Sequence, residues 1–131
     1  LCALVEKGYT DFYVNGAYGI PFWSAEMICA LKLYHPALRL HLVQPYPEHN
    51  AGWKPELRER FQQILEKADE VFCAEPEETA DCYEAADRIM CSASDLLVIF
   101  GTRSANRSMV SYAGMQDVPV FSLKWENLLI P

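Results

Sequence analysis

Hydrophobic and polar positions along this chain fall into blocks whose period changes. Residues 12–15 are a short β-type run that ends in a tight glycine-containing turn, residues 16–19. An apolar helical stretch follows over residues 21–34, opened by Pro21 and stopped by Pro36. Residues 38–43 read as a second strand, and residues 44–53 as a loop rich in Pro, His and aromatic side chains. Leu57, Phe61, Ile64, Leu65 and Ala68 form one stripe of a helix over residues 55–68. A short strand at 70–74 precedes a helix that opens at the capping-box pair Asp81 and Glu84 and runs to about residue 92. Residues 96–100 are apolar without alternation, which predicts a central strand of a parallel sheet, buried on both faces. A polar loop (101–104), a helix near 106–116 and a last strand (118–123) complete the pattern. Residues 1–8 read as the end of a helix closed by Gly8, so a truncated start is expected, with something preceding Leu1.

Strand–helix alternation of this kind means right-handed βαβ units. The expected fold is α/β: a Rossmann-like parallel sheet with helices on both faces, in a single domain over residues 1–131. Ligands in such sheets bind outside the carboxyl ends of the strands. Those ends are residues 15–19, 44–53, 74–79 and 101–108.

The 131 residues carry a net charge of −7. That argues against broad nucleic-acid binding, which depends on neutralising phosphates. A small phosphate ligand stays possible, because a local positive end can outweigh the global field. Five cysteines without CxxC spacing predict reduced thiols, not a disulfide framework or zinc ribbon, and point to a cytoplasmic protein. No apolar run reaches membrane-spanning length. His35, His41 and His49 are scattered, so no metal site is expected, and no Ser/His/Asp or Cys/His set is recognisable.

The strand–turn–helix junction at Asn15, Gly16, Ala17 and Gly19 is the strongest candidate ligand site. A helix N-terminus offers unpaired N–H groups and a positive dipole end to an anion. The turn is not GxGxxG, so no dinucleotide cofactor is implied. Its glycines allow close approach of a phosphate, or they only make the turn. Glu26, one turn into an apolar helix, either orients a ligand hydroxyl or base from the cleft or is a surface carboxylate. Arg103, Ser104, Asn106, Arg107 and Ser108 follow the apolar strand and enter a helix. They suit an anion, or they form a solvated loop with Ser104 or Asn106 as an N-cap. Gln44, at the end of the second strand, belongs to the same candidate set. A phosphorylated ligand is expected between the two junctions. The helix over 21–33 is apolar around most of its circumference, which predicts a homo-oligomer.

Several segments together resemble the YpsA-like branch of the SLOG superfamily, relatives of DprA/Smf and of the Lonely-guy phosphoribohydrolases. They are Gly8-Tyr9-Thr10-Asp11-Phe12, Asn15-Gly16-Ala17-Tyr18-Gly19, Trp23-Ser24-Ala25-Glu26 and Leu42-Val43-Gln44-Pro45-Tyr46. Trp53 ahead of a helix with Arg60, then Ala68-Asp69-Glu70-Val71 and Ser94-Asp95-Leu96-Leu97, continue the match in order. The resemblance implies a Rossmann-like fold, a nucleotide-derived ligand, frequent oligomers, a bacterial protein, and a first strand missing here. The chain departs from the family pattern at Pro21, where an acidic residue is common. It departs again at Ser104-Ala105-Asn106, where Gly-Gly-Thr is common, and at Ala86-Asp87, where Arg-Asn is frequent. It lacks the PGGxGTxxE signature of Lonely-guy hydrolases, so that activity is not carried over. The expected function is binding or sensing of a nucleotide-related small molecule. The alternatives are an N-glycosidic hydrolase with Glu26 as acid–base group, and a scaffold that binds a protein partner.

Overall fold

Three parallel strands and two covering helices make the first part of this computed structural model, which describes residues 1–104 and 106–123. Ala105 and residues 124–131 lie outside the described set. The order is α1 (Cys2–Glu6), β1 (Asp11–Asn15), α2 (Ile20–Leu31), β2 (Arg39–Gln44), α3 (Pro55–Lys67), β3 (Glu70–Cys73), α4 (Cys82–Ala93), β4 (Leu97–Phe100), α5 (Arg107–Met115) and β5 (Val120–Leu123). All pairings are parallel: β1–β2–β3 in one sheet, β4–β5 in another. This is the mixed α/β, Rossmann-like arrangement the alternation predicts. The chain divides into two compact units, Leu1–Ala86 and Asp87–Pro131, and the division falls inside α4.

The helix ends follow from local chemistry. Gly8 takes φ +98° after α1, and the N–H groups of Gly8 and Tyr9 bond back to the carbonyls of Val5 and Leu4. That is the Schellman closure that only a glycine makes without strain. Pro55 starts α3, where its missing N–H costs nothing, and Lys67 lies in the last turn near the negative dipole end.

In the first unit, Phe22, Ala25 and Ile28 of α2 and Phe61 and Ile64 of α3 enclose Leu40 and Leu42 of β2. Both helices therefore cover the same sheet face. The other face of β2 carries His41 and Val43, which are buried as well. His41 is held from both sides. Its Nε2 lies 2.8 Å from Asp11 Oδ1, its Nδ1 meets Glu70 Oε1, and its ring stacks on Tyr13 at 4.3 Å between centroids. The hydrogen bonds from His41 and then Thr10 hold the Asp11 carboxyl below the usual carboxylate range.

Asp69 clamps the β2–β3 junction. Its amide donates to the Leu40 carbonyl at 2.9 Å, while its Oδ2 accepts the Leu40 amide at 2.8 Å and Lys32 Nζ at 2.7 Å. Burial pushes the Asp69 carboxyl up, but these two donors outweigh it and leave the group below its ordinary value.

The helix after β1 ends at Leu31 with the last two apolar residues beyond it, and within a single copy of the chain Trp23, Met27, Leu33 and Tyr34 are exposed. One expectation needs correction: the run in β4 is not buried throughout. Leu97 and Ile99 join Cys91 of α4 and Ala113 of α5 in the core of the second unit, but Val98 is 37 % exposed. Both helical contributions come to the same strand face, which leaves the alternate residue uncovered.

Candidate functional site

The carboxyl ends of β1 and β2 meet through one side chain, His49. Asn15 Oδ1 accepts the Ala17 amide at 3.0 Å, which folds the chain over just after β1. Gly16 is buried there, and a Cβ on it would come within 2.7 Å of His49 Cε1 and 2.8 Å of Nε2. The missing side chain of Gly16 is thus the space that the imidazole occupies. His49 Nε2 lies 3.0 Å from Gln44 Oε1. Burial lowers the His49 pKa, so at neutral pH the ring is uncharged and donates its Nε2 proton to the Gln44 carbonyl oxygen. The Gln44 amide in turn donates to Cys73 Sγ at 3.8 Å, and burial pushes that thiol up, away from thiolate chemistry.

Beyond Gly16 the turn reaches Gly19, at φ +106°, as the N-cap of α2. No side chain caps this helix, and its first internal bond runs from the Trp23 amide to the Gly19 carbonyl at 2.9 Å. The free first-turn donors leave a positive end at the carboxyl edge of β1. An aromatic cluster surrounds it: Tyr18 lies 5.9–6.2 Å from Phe22, Trp23 and Trp53, centroid to centroid. Tyr18 and Trp23 are about half exposed, so the cluster presents ring surface to solvent.

Glu26 does not enter this cleft. Both its oxygens are taken by Arg60 of α3, Nε to Oε2 at 3.1 Å and Nη2 to Oε1 at 2.5 Å. The guanidinium also lies 5.0 Å from the centre of the Phe22 ring. This paired carboxylate borders an open groove between α2 and α3, lined also by Cys29, Lys32 and Lys67. A two-point ion pair fixes the orientation of the carboxylate, and each of its oxygens keeps a further lone pair.

In the second unit, the loop after β4 exposes Arg103, Ser104 and Arg107. Asn106 is the N-cap residue of α5, but its side chain does not bond the helix amides. Its Nδ2 donates backwards, to the carbonyls of Phe100 at 3.1 Å and Thr102 at 2.8 Å, and staples the loop to the strand end. Ser108 Oγ is shielded from solvent and has no hydrogen-bond partner among the described residues. The structure thus brings Asn15, Gly16, Ala17 and Gln44 together around His49. It places Gly19 at the end of the same turn and Glu26 on a helix flank. The Arg103, Ser104, Asn106, Arg107 and Ser108 group stays in its own unit. Sequence reasoning left His49 among scattered histidines without a ligand role and did not place it over Gly16, nor the rings of Tyr18, Trp23 and Trp53 around Gly19. The signal for both was the density of rings in the 44–53 loop next to a glycine that tolerates no side chain.

Among the described residues no cluster of three His, Cys, Asp or Glu side chains could hold a metal. Among them, too, no helix is long and apolar enough to cross a membrane.

A family model described as the YspA SLOG family matches residues 1–119. Curated relatives carry the name UPF0398 protein. One from Bacillus anthracis is 30 % identical over 100 residues, covering 75 % of this chain and 54 % of that protein. One from Halalkalibacterium halodurans is 35 % identical over 69 residues, 53 % of this chain and 36 % of its own length. One from Bacillus thuringiensis is 35 % identical over 71 residues, 54 % and 39 % respectively. The chain spans about half the length of the curated relatives it matches.

Proposed function

This chain belongs to the YpsA (YspA SLOG) family, and on that premise we propose that it binds or senses a nucleotide-related small molecule at the carboxyl end of β1. The observation that carries the reading is the uncapped N-terminus of α2 beside half-exposed aromatic rings. Uncapped amides and a helix dipole suit a phosphate, and exposed rings suit a planar base or a sugar face. In the second unit, Arg103 in the loop after β4 and Arg107 at the start of α5 are further anion donors. Glu26, the carboxylate considered for N-glycosidic cleavage, is paired with Arg60 on a helix flank, which supports binding over cleavage.

Calorimetry against nucleoside mono- and diphosphates and nucleotide sugars tests the reading, with mass spectrometry of whatever co-purifies. Tyr18 and Trp23 are exposed, so Tyr18→Ala and Trp23→Ala leave the core intact. Each is expected to weaken binding by about tenfold, the effect of losing roughly 1.4 kcal/mol. Binding that survives both substitutions unchanged places the ligand elsewhere.

A second reading, a scaffold for a protein partner, has one observation in its favour. His49 fills the space over Gly16, where a phosphate would otherwise approach the backbone. A chain that binds no nucleotide before or after His49→Ala favours the scaffold.

A further inference from the structure

β3 ends the three-stranded sheet, and all four of its residues are exposed. Among the described residues no strand pairs with its outer side. Leu42 lies level with Val71 and the Ala74 amide donates inward to the Gln44 carbonyl, so in this parallel ladder Glu70, Phe72 and Ala74 bond to β2 and the backbone groups of Val71 and Cys73 turn outward. Val71 and Phe72, 44 % and 37 % exposed, put an apolar pair on this open edge. Natural edges are usually guarded by free charges, proline or a bulge. Here the acidic residues at the start of the strand are already engaged, Asp69 by Lys32 and Glu70 by His41, and the first proline after it is Pro76.

The charges flanking the strand have opposite signs at its two ends. Lys67, in the last turn of α3, is exposed just before β3. Glu75, Glu77, Glu78 and Asp81 follow it, the last three exposed. An antiparallel neighbour of the same sequence brings the acidic end of each copy against the basic end of the other.

We propose that the β3 edge is a self-association surface, occupied by β3 of a second copy of this chain in antiparallel pairing about a two-fold axis through Val71. The axis runs perpendicular to the sheet, and Val71 meets its equivalent on the face that bears α2 and α3, because it is in register with Leu42. Val71 and its equivalent then form a hydrogen-bonded pair, Phe72 lies opposite Glu70 of the second copy as a non-hydrogen-bonded pair, and Glu75 lies beside Lys67 of the second copy. The contact is isologous, so it closes at a dimer and does not propagate into a filament. The strand is short, which puts the contact at the low end of specific interfaces, below about 1,200 Å² in total, and its affinity in the micromolar range.

Sedimentation analysis of the full chain from low micromolar to several hundred micromolar tests this, with hydrogen exchange at both ends of that range. The expected result is a monomer–dimer equilibrium in which the Val71 and Cys73 amides gain protection at high concentration. Val71→Lys sets like charges together on the axis and is expected to raise the dimer dissociation constant at least about tenfold. The residue is exposed, so its urea unfolding curve should match that of the parent chain. Lys67→Glu weakens the dimer less, and less still at high salt. Mild oxidation of Val71→Cys gives a disulfide-linked dimer that the parent chain does not form, because Cys73 faces Asp69 of the second copy. Three results overturn the proposal. One is a monomer at the highest concentration with both amides unprotected. Another is a dimer indifferent to Val71→Lys, which associates through some other face. The third is protection of the edge amides in a monomer, which means another segment covers β3.

Discussion

β2 and β4 invert what their compositions suggest. β2 reads Arg-Leu-His-Leu-Val-Gln and is buried from Leu40 to Gln44, polar residues included. β4 reads Leu-Val-Ile-Phe and is buried only at Leu97 and Ile99. The difference lies in the neighbours. β2 has a strand on each side, α2 and α3 over one face, and partners supplied to each buried polar group. β4 has one described strand partner, and both helical contributions fall on one face. Burial is therefore a property of position in the sheet. A polar side chain tolerates it when adjacent strands bring hydrogen-bond partners into register.

The largest expected effect tests the covered face of β2. Leu42→Ala should cost about 2–5 kcal/mol of unfolding free energy, measured by urea titration. A loss no greater than that of a surface substitution would mean that the helices do not close this face.

Next comes the polar face. His41→Phe keeps the stack on Tyr13 but removes the ring nitrogens that meet Asp11 and Glu70. The expected cost is about 1–3 kcal/mol, toward the lower end because both carboxylates are half exposed and can rehydrate. An unchanged or raised stability would show that the imidazole is only filler.

The pH dependence from His49 is smaller. Its folded pKa is depressed below the ordinary 6.5 by burial. The unfolded chain therefore binds the proton more readily, and stability rises with pH across this window. The contribution is complete above 6.5 and is lost as pH falls through the folded value. Thermal melts between pH 7.5 and 5.5 should show the decline, and His49→Asn should flatten it. A His49→Asn profile as steep as the parent's would assign the decline to another group.

The smallest effect belongs to β4. Val98→Thr should stay within about 0.5 kcal/mol of the parent chain. A cost comparable to that of Leu42→Ala would make β4 a strand covered on both faces, and the contrast with β2 would disappear.

Much of the fold was legible because its signals are local. Turn glycines, helix-opening prolines and the stripe on α3 depend on residues within a few positions of one another. The glycine at the end of α1 and the parallel alternation read correctly for that reason, and the order of short motifs was enough to show the family. What was illegible depends on distant partners. Nothing near Glu26 announces that Arg60 will take both its oxygens. Nothing near His41 shows that Asp11 and Glu70 will arrive from adjacent strands. The apolarity of residues 96–100 suggested burial on both faces, but apolar content says only that a side chain would accept cover. Gly16 read either as an approach for a phosphate or as a plain turn residue, and the group that approaches it is His49, from within the same chain.

The Asp69 clamp bears on how the chain chooses among alignments of β2 and β3. A slip of one residue is excluded by the hydrophobic pattern, since it would turn Leu40 and Leu42 away from the helices. A slip of two is not, because it returns every side chain to its own face. Against that alternative, alternation carries no information. Asp69 supplies it: one residue grips both polar groups of Leu40, its amide on the carbonyl and its carboxylate on the N–H, and only one alignment satisfies both. The carboxylate works as an index mark on a ruler whose graduations are otherwise identical, and Lys32 keeps the mark from moving.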